Sequence, residues 1–261
     1  MSISLGNAIK SVKEDEKWSE KLFIGGLISI FAGAGSYLAD SESFSIGVRI
    51  AGIILYLIFG ALLCGFTILT AKIQIDSDSK AMAEWSISDS FVKGLKFIFG
   101  YFLYTIVIMI LFALVAILLT LITSIVLGLI YYLINLVLNL NPQVMTYVAS
   151  IVFITLMSIV GMYFMQFINA ALVSYYKSHK FHDIMAIKKH FKIVFENQHA
   201  AWSLIGKEIL YTLLLILIFV VLCLTIIGII AVPFVCFAAS IVMVNLYAQY
   251  AKEIKIEKYI D

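Results

Sequence analysis

Long, nearly uninterrupted apolar runs are the feature that most constrains this chain. Five are cleanly bounded, Leu22 to Ala39, Ile50 to Thr70, Val144 to Tyr175, Ile209 to Ile227 and Ala231 to Tyr250, and a further stretch runs from Phe97 to Leu140. A helix needs ~20 predominantly apolar residues (range ~17–25) to cross ~30 Å of hydrocarbon, and each bounded run can supply them. Hydrophobic residues make up 63% of the 261, charged residues 13%, and mean hydropathy is +1.06. Water-soluble domains sit near half apolar with about a quarter charged, so the excess here must face lipid. The expected fold class is all-α, a polytopic transmembrane helical bundle of about six spans with interfacial amphipathic helices, forming one domain over 1–261.

The stretch from Phe97 to Leu140 is too long for one crossing, since as a single helix it would measure ~66 Å at ~1.5 Å per residue, about twice the hydrocarbon core. The expectation is a third span over 97–122, then a separate segment over 123–140. In that segment Gly128, Tyr132, Asn135 and Asn139 recur at helical spacing on one side, an amphipathic pattern suited to the outer interface or to a re-entrant piece. Asn141-Pro142 then turns the chain into the fourth span. The competing reading is one long tilted third helix.

Lysine placement orients these spans. With six crossings, the loops carrying Lys10, Lys13, Lys17, Lys21, then Lys72, Lys80, Lys93, Lys96, then Lys177, Lys180, Lys188, Lys189, Lys192, Lys207, then Lys252, Lys255 and Lys258 share one side, and Arg49 alone falls on the other. Loops rich in lysine and arginine stay in the cytoplasm, so the expected location is the plasma membrane with both termini cytoplasmic. The first run ends in Ala32-Gly33-Ala34-Gly35-Ser36, yet the acidic residues Glu14, Asp15, Glu16 and Glu20 precede it, unlike a short positive signal region. A retained first span is expected.

An amphipathic segment precedes each odd-numbered span. Leu5, Ile9 and Val12 form one stripe; Ile87, Phe91, Leu95 and Ile98 a second, opened by Ser86-x-x-Asp89; Ile184, Ile187, Phe191 and Val194 a third, flanked by Lys188, Lys189 and Lys192. Such helices either lie in the headgroup plane with lysines towards anionic lipid or tuck against the bundle as connectors. The headgroup reading singles out Lys93, Lys96, Lys188, Lys189 and Lys192, and Trp18, Trp85 and Trp202 sit at the same entries, where indole suits the interface.

These entries also carry a family resemblance. Asp15-x-x-Trp18 with Lys21 and Gly25-Gly26, Glu84-Trp85 followed by Phe91-x-x-Gly94-Leu95-Lys96, and Asn245-Leu246-Tyr247-x-Gln249-Tyr250 resemble the prokaryotic multi-pass membrane family catalogued as domain of unknown function 4013. The resemblance runs from about Asn7 to Lys252, and departs where members similar to this have proline before the Glu-Trp pair and this chain has Ala83. It implies a multi-pass membrane protein and no assigned reaction, so no catalytic residue carries over.

Chemistry-bearing groups are few. Intramembrane charge would mark function, yet Arg49 and the Lys207-Glu208 pair read as span-end groups that snorkel to the interface. Gln166 and Asn169 in the fourth span, and Asn245 and Gln249 in the sixth, remain as candidate lining for a polar cavity near the inner leaflet, or as interhelical hydrogen bonds. Thr146, Ser150, Ser158 and Gly161, Tyr56, Gly60, Cys64 and Thr67, and the run Ala32 to Gly35 read as surfaces for close helix contact, the last within or between chains. His179, His182, His190 and His199 share a loop but lack metal-ligand spacing, and Cys64, Cys223 and Cys236 lie in apolar runs. Phosphate loops, dinucleotide fingerprints and nucleophile elbows are missing, and a net charge of +2 spread over short loops excludes a nucleic-acid interface. The expectation is a non-enzymatic protein without cofactor or metal that binds or organises lipid, or a membrane partner such as a second copy, at the inner leaflet. The alternative is a transporter or channel for an uncharged or lipid-like substrate.

Overall fold

The computed structural model describes residues 3–77, 81–138 and 142–260. Nine α-helices appear among them, α1 (Leu5–Ser11), α2 (Trp18–Asp40), α3 (Ile46–Asp76), α4 (Ile87–Leu138), α5 (Pro142–Ser178), α6 (Phe181–Met185), α7 (Ile187–Glu196), α8 (Gln198–Cys223) and α9 (Ile226–Glu253), closed by a 3₁₀ turn, Ile256–Tyr259. Six, α2, α3, α4, α5, α8 and α9, are long and apolar enough to cross a membrane. The protein is an all-helical, multi-pass membrane protein.

The expected break after residue 122 is not found. α4 runs unbroken for 52 residues from Ile87 to Leu138, ~78 Å at ~1.5 Å per residue. Its sequence holds no proline, and Gly128 is its one glycine beyond Gly100, so nothing local forces a break. Asn139 and Asn141, on which the amphipathic and turn readings rested in part, lie outside the described residues, and Pro142 starts α5, where its missing N–H costs no helical bond.

The helices form two compact units. The first comprises residues 3–77, 81–101 and 169–260, and the second residues 102–138 and 142–168. In the first, α9 is the hub, packing against α1, α2, α3 and α8. Small residues permit the closest approaches. A Cβ on Gly65 of α3 would strike the Ser90 carbonyl of α4, and one on Gly94 would strike the Ala61 carbonyl in return, so Ala61-x-x-x-Gly65 and Ser90-x-x-x-Gly94 interlock backbone against backbone. Gly35 and Gly52 bring α2 onto α3 in the same way, with Tyr56 N 2.5 Å and Gly52 O 2.9 Å from a Cβ on Gly35. Of the small-residue run from Ala32 to Gly35, Ala32 and Gly35 are buried within the chain, while Gly33 and Ala34 are exposed. Gly60 and Gly161, by contrast, face open space.

The amphipathic stripes are only partly as expected. On α1 Ala8, Ser11 and Val12 are buried while Ile9 is exposed, and at the start of α4 Ser90 and Gly94 are buried while Ile87 and Leu95 are exposed. On α7 Ile193, Val194 and His190 are fully buried, so that helix packs into the protein as a connector.

The second unit is the paired parts of α4 and α5. Tyr104 donates to the Phe167 carbonyl at 3.2 Å, and Phe112 meets Phe164 edge to face at 5.1 Å. A cavity of ≈570 Å³ lies between these helices, lined by Thr120, Ser124, Gly128 and Tyr131 of α4 and Thr146 and Ser150 of α5.

The interlock generates a contrast. Gly94→Leu places a side chain into the α3 backbone and is expected to cost more than ~3 kcal/mol, whereas Gly60→Ala at an open helical position stays neutral or gains up to ~1 kcal/mol. Thermal unfolding of the two purified variants checks this, the first losing its cooperative transition or melting far below the second.

Candidate functional site

Polar groups gather into four clusters, all in the first unit. The first joins residues far apart in sequence. Asp15 accepts from Lys21 Nζ at 3.0 Å and from the backbone N–H groups of Met82 and Lys17, both at 2.8 Å. Lys21 Nζ also donates to the Met82 carbonyl at 2.9 Å and pairs with Glu84 at 3.2 Å. The Trp85 indole N–H donates to the Lys21 carbonyl, and its ring stacks on Phe66 at 4.0 Å. Lys21 is only 4% exposed, so it is an internal strut and not one of the surface lysines it resembles in sequence. Burial alone would raise the Asp15 carboxyl, but the Lys21 hydrogen bond, the two N–H groups and the Lys21 charge hold it below the ordinary value.

The second cluster takes up two of the four amides singled out above. Asn245 donates to Gln74 Oε1 at 3.2 Å, Gln249 donates to Asn245 Oδ1 at 2.7 Å and to the Ser4 carbonyl at 3.2 Å, and Gln249 Oε1 accepts from Ser4 N at 2.7 Å. This chain of bonds ties α9 to α3 and to the residue before α1. Gln74 carried no signal as a partner, because it sits beyond the apolar run of α3.

The third cluster holds Asn169, whose Nδ2 donates to both carboxylate oxygens of Glu208, at 3.1 and 3.0 Å. Tyr247 of α9 also hydrogen-bonds Glu208. Glu208 lies ten residues into α8 and is held by α5 and α9. Arg49 sits at a helix end, where its Nε donates to the Ala39 carbonyl in the last turn of α2. Gln166, in the second unit, is 1% exposed with both amide atoms lacking a hydrogen-bond partner among the described residues. The two cavities described here are lined by other residues.

The fourth cluster is the α6–α7 elbow. Ala186 leaves the helical conformation between the two helices, and His190 Nε2 donates back to the Asp183 carbonyl at 2.9 Å, locking the bend. Lys189 Nζ pairs with Asp183 at 2.5 Å. Burial would raise Asp183, but hydrogen bonds from Lys189 and Ser178, with the charges of Lys189 and His182, hold it below the ordinary value. A cavity of ≈590 Å³ opens at this bend, lined among others by Lys180, His182, Lys188, Lys189 and Tyr259. Of the five lysines singled out for headgroups, Lys188 and Lys189 line it. Lys192 lies 6.0 Å over the ring of Tyr259, and Lys93 and Lys96 belong to α4 outside its lining. Lys180, His182 and Tyr259 were not singled out, and Tyr259 is brought in by the 3₁₀ turn through bonds to Glu196 at 2.6 Å and Asn197 at 3.0 Å. Among the described residues no group of three or more His, Cys, Asp or Glu is placed to hold a metal ion.

No family model matches this chain, and no curated protein or solved structure is similar to it.

The elbow has a pH signature. Burial pushes His190 down to about 4, opposed by its bond to the Asp183 carbonyl, while an unfolded histidine titrates near ~6.5. The unfolded elbow then binds the extra proton between those values, so stability is full above ~6.5 and lost as pH falls towards about 4, by a few kcal/mol at most. Amide hydrogen exchange over α6 and α7, corrected for intrinsic rate, is expected to quicken across that window, and His190→Gln, which keeps a donor but cannot charge, to remove the dependence.

Proposed function

We propose that this chain is a prokaryotic plasma-membrane protein with both termini in the cytoplasm, whose α6–α7 elbow binds the phosphate of an anionic phospholipid at the inner leaflet. The observation that carries the reading is the elbow cavity, lined by Lys180, Lys188, Lys189 and His182 with Tyr259, and by Asp183, which pairs with Lys189. Ammonium groups around a small concavity suit a phosphate, and the Tyr259 ring gives the glycerol region an apolar wall to pack against. Segregation of the lysines to one side of a six-span chain, with Arg49 alone on the other, supports the cytoplasmic placement of this surface. The role is binding and organising lipid without chemistry on it.

Membership of the family catalogued as domain of unknown function 4013 belongs to the same proposal. Its support is that Asp15, Lys21, Glu84 and Trp85, drawn from two separate motifs, form one hydrogen-bonded cluster. Passage of an uncharged solute is less favoured, because Asn169, Asn245 and Gln249 spend their donors on Glu208, Gln74, Ser4 and each other.

Native mass spectrometry on protein released from mixed phosphatidylglycerol and phosphatidylcholine bilayers tests the reading. The unmodified protein is expected to retain phosphatidylglycerol preferentially, and Lys180→Gln with Lys188→Gln to weaken that preference roughly thirtyfold at ~1 kcal/mol per lysine. Equal retention of the two lipids by the unmodified protein contradicts it.

A further inference from the structure

Glu208 is the membrane-helix carboxylate that the headgroup reading leaves unused. Its oxygens accept from Asn169 Nδ2 at 3.1 and 3.0 Å, and Tyr247 supplies a second hydrogen-bonding partner. The ion pairs formed by Lys21, Lys177 and Lys189 are made with Asp15, Glu84, Asp76, Glu257 and Asp183, not with Glu208. The titratable groups that face it are phenols: Tyr247 and Tyr250 on α9, with Tyr176 on α5 and Tyr101 on α4 beside Tyr247. Tyr176 and Tyr247 meet edge on at 6.0 Å. A half-buried carboxylate on a membrane-length helix, held by an amide and a phenol, is costly as an anion, and a proton is the smallest ligand that removes the cost.

We propose that the Asn169–Glu208–Tyr247 cluster is a proton-binding site, in which Glu208 exchanges reversibly between carboxylate and carboxylic acid without the helices coming apart. The chemistry of the two partners allows both states. As carboxylate, Glu208 accepts from the Asn169 amide and from the Tyr247 hydroxyl. On protonation the new O–H donates to the Tyr247 oxygen, because a phenol hydroxyl both donates and accepts, while Asn169 goes on donating to the carbonyl oxygen. The proton comes from water at the membrane surface and returns there; no other group changes its charge. A site built only to hold the anion would carry a lysine or arginine here. One built only to hold helices together would use neutral amides, as Asn245 and Gln74 do elsewhere in this unit.

Infrared difference spectroscopy between about pH 3 and about pH 9, on either side of the ordinary glutamate value of ~4.3, reads the site directly in protein reconstituted in bilayers. The expected result is a protonated-carboxyl C=O band that appears on acidification with a single-proton profile and is missing from the near-isosteric Glu208→Gln, a loss of one carboxyl equivalent per chain. Tyr247→Phe is expected to keep the band and move its frequency, because the acid loses its acceptor; a purely structural glutamate would give no such band to move. Identical difference spectra for the unmodified protein and Glu208→Gln, both folded by circular dichroism, would overturn the proposal. So would a Glu208 band that does not change across the range.

Discussion

Lipid tails are as apolar as leucine, so burying leucine against leucine gains little inside a bilayer, and a helical bundle there must be held by something else. In the first unit of this protein the holding is done by close backbone contact and by polar groups that have no better partner. Gly65 and Gly94 let α3 and α4 touch main chain to main chain, and Gly35 with Gly52 does the same for α2 and α3. α9 then crosses the assembly as a hub, carrying Asn245 to Gln74, Gln249 to Ser4 and Tyr247 to Glu208. The Asp15–Lys21 pair adds a strut between the segment before α2 and the segment before α4. Removing one member of such a buried pair typically costs ~3–5 kcal/mol, since the remaining charge stays buried.

How far this was legible follows from what each signal measures. Apolar run length reports the solvent of a helix, and it located all six membrane-length helices, though their ends extend into polar turns such as the Gln74–Asp76 end of α3. The same signal misled over residues 123–138, because a chain that exceeds one bilayer thickness need not break when no residue breaks it. Charge type alone cannot tell a surface lysine from an internal one: Lys21 and Lys17 look alike until Asp15 and Met82 are placed beside the former. Glu208 directly precedes an apolar run, which suggests a span end, and its partners Asn169 and Tyr247 lie 39 residues away on either side in sequence, beyond any local pattern. The small-residue surfaces show the same limit. Gly60 and Gly65 sit on one helix, and only the neighbour at Ser90 decides that the second is the contact.

The two chemical features of the first unit divide naturally. At the elbow, lysines gather around an open concavity, and their strong hydration suits a ligand that is itself partly in water. In the bundle, an amide, a carboxylate and a phenol close on each other, and the ligand that fits is no larger than a proton. The His190–Asp183 bond and the Lys189–Asp183 pair keep the elbow bent whether or not a headgroup occupies it.

All of this presumes that lipid, not water, bathes the exposed leucine and isoleucine faces, of which α4 presents the longest. Spin labels placed singly at Ile110, Leu114, Leu118 and Leu121 in a cysteine-free background, positions all more than half exposed, measure that solvent by collision with oxygen and with a water-soluble nickel complex. Frequent collisions with oxygen and few with nickel at all four positions, against protection from both at buried Ile108, are what the account predicts. Ready collision with nickel at these positions would contradict it.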